Sequence, residues 1–201
     1  MSSSSPRALE VSTARGADDL RGILELQEQN LARSISAEEA AAQGFVTVSH
    51  ELDALLAMHA LAPSIVARAA DDSQIVAYAL AMPLETRRLV PILEPMFEKL
   101  GSLSWRARPL TGVPYYVMGQ VCVAKAYRGQ GVFDALYRGH REAYAGRFEL
   151  LVTEISARNT RSLRAHERLG FELIDRYRDA VDEWAIVGWG WGAGPARRDG
   201  S

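Results

Sequence analysis

The sequence predicts an α+β protein of mixed type, a central sheet with parallel and antiparallel strands flanked by helices. Three observations carry this. A β-rich run over residues 117–123 passes through Ala124-Lys125-Ala126-Tyr127 and the turn Arg128-Gly129-Gln130-Gly131 into a helical pattern, and another β-rich run follows at 148–155. Strand, helix and strand in that order make a parallel crossover. Runs at 64–69 and 75–80, parted only by Asp71-Asp72-Ser73, read instead as an antiparallel hairpin. Apolar residues at helical spacing, as in residues 89–100, supply the flanking helices.

At 201 residues the chain suits one domain with some elaboration, and no linker divides it. We expect a single domain over 9–191 between mobile tails at 1–8 and 192–201. The 23 basic and 25 acidic residues leave a net charge of -2 and no single-sign face, which argues against nucleic acid as a partner. Cys122 is the only cysteine, so no internal disulfide forms and a reducing, cytoplasmic setting is expected. There is no signal-peptide pattern and no apolar run long enough to span a bilayer. The four histidines and Cys122 form no close pair at ligand spacing, so no metal site is expected.

In chain order, residues 9–15 predict a first strand, and Asp18 is placed to cap a helix with Leu20, Ile23, Leu24 and Leu26 on its apolar side. Ser36 with Glu39 forms a capping box for a short helix ending at Gly44, and residues 45–48 follow as an extended segment. Residues 51–61 return to helical spacing through Leu52, Leu55, Leu56 and His59. After the hairpin, the stripe Leu89, Ile92, Leu93, Met96, Phe97 and Leu100 predicts a helix from about Pro91 to Gly101. That helix is suited to cover a substrate cleft, to pack on a second copy of the chain, or simply to bury its stripe on the same sheet. Trp105, Pro109, Gly112 and Pro114 lie in the connection to the strand at 117–123, and the helix beyond it should bury Val132, Leu136, Gly139, His140 and Ala143. Asn159 caps a last helix with Ser162, Ala165, His166 and Leu169 on one face, Gly170 ends it, and 171–178 and 183–191 close the sheet as strands.

The turn at 128–131 has its own chemistry. Glycines let main-chain N–H groups converge without a Cβ in the way, and a helix start leaves its first four N–H groups without intrahelical partners. With the positive end of the helix dipole, these make an anion site suited to phosphate, and Arg128 adds a fixed charge. The lysine and hydroxyl that follow the glycines of a P-loop are missing.

The segments Val121-x-Val123, Arg128-Gly129-Gln130-Gly131 and Asn159-x-x-Ser162-x-x-x-His166-x-x-x-Gly170-Phe171 resemble the signature segments of the GCN5-related N-acetyltransferases, closely over residues 117–177. The resemblance implies a seven-stranded mixed sheet in which the strands at Val121 and Ile155 splay apart. Acetyl-coenzyme A, the acyl donor, would lie in the gap, its pantetheine arm along Val121, Cys122 and Val123. Its diphosphate would sit on the N–H groups of Arg128, Gly129, Gln130 and Gly131 at the start of the helix that opens with Val132 and Phe133. Asn159 and Ser162 would face the donor from the last helix. The implied activity is direct transfer of an acetyl group to a primary amine of a small molecule or peptide. A catalytically silent acyl-CoA sensor of the same fold is the alternative.

Three positions depart from the family pattern. His166 stands where a tyrosine near the thiol is common, and imidazole can also protonate a thiolate. Gln120 stands where many relatives carry a glutamate base, and an amide cannot take that role. Glu154 on the neighbouring strand is the best replacement, against the readings that it is paired with an arginine at a sheet edge or that water relays the proton. Phe133 replaces a small residue at the end of the phosphate turn, and its ring must turn away from the donor. Cys122, flanked by Val121 and Val123 on the other face, reads as a buried apolar residue and not as a nucleophile.

Overall fold

The computed structural model describes residues 9–34, 36, 38, 46, 48–70, 74–180 and 182–191. The tails, most of the helix expected at 36–44 with its capping box, Phe45, Thr47 and the turn 71–73 lie outside the described residues. Seven strands form the main sheet: β1 (Leu9–Thr13), β2 (Ile65–Ala69), β3 (Ile75–Met82), β6 (Tyr115–Val123), β7 (Leu150–Ser156), β8 (Glu172–Arg178) and β9 (Glu183–Gly190). Their spatial order is β1-β2-β3-β6-β7-β9-β8. Only β6 and β7 are parallel; every other neighbouring pair is antiparallel. The connection 103–114, expected as plain loop, contains a small hairpin of β4 (Ser104–Trp105) and β5 (Arg108–Pro109).

Helices cover both faces of the sheet. On one lie α1 (Ala17–Glu28), α2 (Leu52–Leu61) and α3 (Glu94–Gly101), packed with Tyr78, Val117, Cys122 and Val152. On the other lie α4 (Val132–Tyr144) and α5 (Thr160–Arg168), packed with Ala79, Met118, Leu151 and Ile155. The alternation along β6 and β7 therefore sends successive side chains into different cores. β2 and β3 are buried along their whole length, because both faces of these strands are covered.

Several local expectations shift. Gly16, not Asp18, is the N-cap of α1. Asp19 instead accepts from the Arg15 N–H and from the buried Arg68 guanidinium, tying the helix start to β2. In α2, Leu55 and Met58 are buried while Leu56 is exposed, so the stripe is rotated from the one read off the leucines. In α4, Tyr137 and Tyr144 enter the core and Ala143 does not, since large rings bury more apolar area than a methyl. The stretch predicted as one helix from Pro91 is a 3-10 turn, Pro91–Leu93, leading into α3, and Ile92 is left 72% exposed. Met96, Phe97 and Leu100 of α3 bury on the sheet, the plainest of its three expected uses. No helix among the described residues is long and apolar enough to cross a membrane, and they hold no cluster of metal-ligating side chains.

Candidate active site

The site begins where β6 and β7 part. Their ladder consists of Tyr115↔Leu150, Tyr116↔Leu151 and Val117↔Val152, after which it stops. Both strands continue, each held only on its outer edge: β6 by β3 out to Ala77↔Val123, and β7 by β9 out to Ser156↔Trp184. The cause is a bulge in β6, where Ala79 pairs with Val121 but Ala81 with Met118, so an extra residue bends the strand away from β7. Gly119 sits in the bulge, and a Cβ there would come within 1.9 Å of Met82 Sδ. At the crotch, the Thr153 hydroxyl donates to the Met118 carbonyl at 2.9 Å, a side-chain bond where a ladder rung would have been.

The turn beyond β6 closes the far end of the gap. Gly129 (φ 75°) and Gly131 (φ 77°) both adopt the left-handed conformation, and a Cβ at either would meet nothing within 4 Å. The glycines are thus required by backbone geometry, and they keep the cleft open. Gly131 is the N-cap of α4, with no side-chain cap, and the first intrahelical bond runs from Ala135 N–H to the Gly131 carbonyl. The N–H groups of Val132, Phe133 and Asp134 precede it and stand at the positive end of the helix. Gln130 donates from its side chain to the Ala126 carbonyl at 2.7 Å and so braces the turn. Arg128 donates to the Val123 carbonyl (2.9 Å) and to Asn30 Oδ1 (2.6 Å), tying the turn to β6 and to the end of α1.

Fork and turn form one cleft of about 440 Å³, lined by Val121, Cys122, Val123, Arg128, Gly129, Gly131, Val132, Phe133, Asn159 and Ser162. Of the residues expected to hold the donor, the structure brings all but Gln130 to the cleft wall, and the side chain of Gln130 turns back to Ala126. Asn159 caps α5 as expected, its Oδ1 accepting from Ser162 N–H at 3.1 Å. The Phe133 ring turns toward Tyr137 and His166, with centroids 4.9 and 5.1 Å away. Cys122 is buried, and burial pushes its thiol up to about 12 although Arg128 pulls the other way. It is no ready nucleophile.

Sequence reasoning missed Asn30, Val46, Asp134, Arg161, Ala165 and Arg168 on the same wall. Arg168 grips Asp134 with two bonds, 2.6 and 2.8 Å, and this pairing lowers the Asp134 pKa. A carboxylate at the helix mouth is thereby neutralised. Arg161, Ala165 and Arg168 recur at helical spacing, a signal that was available; Asn30, 98 residues from Arg128, left none.

The three candidate catalytic groups meet very different surroundings. Gln120 is buried: its Oε1 accepts from Gln27 (2.8 Å) and Tyr78 (2.6 Å), and its Nε2 donates to the Val48 carbonyl (2.8 Å). Gln27 also accepts from the His50 N–H, so Gln120 belongs to a closed network that fastens residues 48–50 and α1 to β6. His166, expected to face the donor thiol, lies in the core. It is 1% exposed and off the cleft wall, packed among Phe133, Tyr137 and Phe171. Its Nε2 meets the Tyr137 hydroxyl at 2.5 Å and its Nδ1 the Ser162 carbonyl at 2.8 Å. Burial lowers its pKa to about 4, so the ring is neutral near pH 7 and has no proton to spare. Glu154 lies two residues beyond the fork, half-buried, on the α1–α3 face with Val152, and like Gln120 and His166 it is not part of the cleft wall. Burial raises its pKa, while the Tyr177 hydroxyl donates to Oε2 and opposes the rise.

A proposed acetyltransferase from Acinetobacter baylyi ADP1 is similar over 93% of this chain and 95% of its own, with 18% identity and a TM-score of 0.64. The protein yncA of Salmonella typhimurium, solved with acetyl-CoA, matches over 94% and 99% at 16% identity and a TM-score of 0.57. Naa50 of Arabidopsis thaliana, solved with the bisubstrate analogue CoA-Ac-MVNAL, matches over 91% and 99% at 12% identity and a TM-score of 0.58. At such identities these likenesses show the fold alone. No curated protein matches by sequence. The model of the GNAT acetyltransferase family matches residues 34–171, well over half of the sequence, and the chain belongs to that family.

Proposed function

We propose that the protein is an N-acetyltransferase that passes an acetyl group from acetyl-CoA directly to a primary amine. The observation that carries this reading is the fork: two parallel strands that stop pairing after Val117↔Val152 and open toward a glycine turn at a helix start. An acyl-pantetheine arm fits such a gap as an added strand would, with a diphosphate on the N–H groups at the mouth of α4. The open space beside Gly129 and Gly131 and the pairing of Asp134 by Arg168 suit an anion there.

Helices α4 and α5 cover one side of the fork, so the amine approaches from the α1–α3 side, where Glu154 lies. Glu154 takes the proton from the incoming ammonium, and a main-chain N–H of β6, that of Val121, polarises the thioester carbonyl. Nitrogen bonds to the carbonyl carbon, the C–S bond breaks with its electron pair on sulfur, and one of the protons leaving nitrogen ends on the thiolate through water. Transfer without an acyl-enzyme follows from the buried, high-pKa Cys122. The acceptor is a small-molecule or peptide amine; Naa50, with its peptide-like analogue, supports the second as a class. The closed network around Gln120 supports one rival, a silent acyl-CoA sensor.

Calorimetry with acetyl-CoA and desulfo-CoA, followed by an amine panel read by free-thiol release, separates these readings. Binding with amine-dependent thiol release is expected. Absence of binding at high micromolar ligand sinks both, and binding without release by any amine leaves the sensor.

A further inference from the structure

We propose that Tyr177 is a positioning residue for acetyl transfer: its phenol, braced by Lys99 of α3, holds one oxygen of Glu154 and leaves the other turned to the acceptor amine. This rests on the reading of the fork given above and assigns a task to residues outside the signature segments.

The contact is built across three strands. In the sheet, Glu154 of β7 is in register with Ile186 of β9, and Tyr177 of β8 with Trp184 of β9. The phenol therefore reaches over β9 to donate to Glu154 Oε2. Behind the ring, Lys99 Nζ lies 5.8 Å from its centroid and forms an ion pair of 2.7 Å with Asp175, two residues earlier on β8. The lysine thus grips β8 by a charge pair and the ring by a cation–π contact at once. Helix α3, whose apolar face only fills the core, places this lysine.

Asp179, just past β8, disfavours the charge on Glu154; Asp182 on the next turn is neutralised by Arg158 and bonded by Ser156. On the same face Gln27 of α1 and Gln120 of β6, both uncharged, bond to each other. Tyr177 has a pKa well above the ordinary phenol value, through burial first and then the Glu154 carboxylate, so it stays a donor throughout the working pH range. A hydrogen bond to the charged form is then what keeps a half-buried carboxylate ionised and fixed in direction. Proton removal from an ammonium needs both properties.

The test uses protein labelled with ¹³C at the glutamate carboxyl carbon, the Glu154 signal being the one lost in Glu154→Gln. In Tyr177→Phe, which keeps the ring that Lys99 touches, the Glu154 midpoint should rise by about one pH unit. In Lys99→Met it should rise by less. With acetyl-CoA and the best amine of the panel, the acidic limb of kcat/KM should move up with the midpoint in Tyr177→Phe and kcat should fall about tenfold. Calorimetric affinity for acetyl-CoA should stay as it was. An unchanged midpoint in Tyr177→Phe overturns the proposal, and so does a shifted midpoint with an unmoved acidic limb. Loss of acetyl-CoA binding by the unaltered protein would instead overturn the transferase reading, while the midpoint still reports on the Tyr177–Glu154 contact.

Discussion

The two faces of the sheet at the fork treat their polar groups in opposite ways. On the α4–α5 face, His166 meets Tyr137 and Ser162, His140 meets Tyr116 at 3.0 Å, and all four rings are buried among other aromatics. His166 is bonded at both ring nitrogens, both histidines are held neutral by burial, His140 Nε2 has no hydrogen-bond partner among the described residues, and none of the four rings lines the cleft. On the α1–α3 face, Gln120 of β6 has its amide oxygen and nitrogen both bonded, whereas Glu154 of β7 is half-buried and held by a single phenol. A residue at a familiar place in a family pattern is therefore no more reactive than its hydrogen-bonding and exposure leave it. Glu154 keeps acceptor capacity in reserve; His166 and Gln120 have used theirs.

The largest effect expected from this contrast is on turnover. Glu154→Gln should lower kcat with the panel's best amine by about 100-fold, the scale of a lost general base, with calorimetric affinity for acetyl-CoA unchanged. If that variant turns over normally, the functional contrast between the faces collapses.

His166→Phe should do the reverse. It strands the Tyr137 hydroxyl in the core, at a cost of about 1–3 kcal/mol in denaturant unfolding, and leaves kcat within a few-fold. A loss of turnover out of proportion to that destabilisation would restore His166 as a proton donor.

The histidines also set a pH window. Their folded-state pKa values are depressed by burial, to about 3 for His140 and about 4 for His166, against 6.5 for the free side chain. Below pH 6.5 the unfolded chain binds protons that the folded one refuses, so stability is complete above that pH. It falls on acidification down to about pH 4 for His166 and pH 3 for His140, with a limiting slope of about 1.4 kcal/mol per pH unit for each. Urea melts between pH 7 and 4.5 check this, and His166→Phe should remove one histidine's share of the slope.

The smallest effect should come from Asn159→Ala, which deletes the cap on α5 at a cost of about 1 kcal/mol. Because Asn159 also lines the cleft, a drop in acetyl-CoA affinity larger than the stability change would mean that it touches the donor as well as its own helix.

Much of the local structure around the cleft was legible in the sequence. Two glycines before a helical pattern, an asparagine three residues ahead of Ser162 and a hairpin around a polar turn are all local signals, because turns, caps and alternation are decided by residues within a few positions of each other. The buried stripes were legible only in part. Leucine spacing in 51–61 could not say which side faced the sheet, and in α4 the tyrosines displaced Ala143 from the core.

The sequence by itself thus determined the strand, turn and helix that can hold a phosphate, and the parallel crossover that puts two strands side by side. That those strands part was expected only through the family resemblance, and the tertiary structure supplies the cause. The parting depends on Gly119 meeting Met82 from another strand and on a one-residue slip against β3. Only the tertiary structure decided which candidate groups stay usable. Gln27 lies 93 residues from Gln120, Tyr137 lies 29 from His166 and Tyr177 lies 23 from Glu154. The physical reason is one of range: backbone conformation answers to near neighbours, whereas burial and hydrogen-bond saturation, which govern whether a side chain can take or give a proton, answer to whatever the fold brings alongside it.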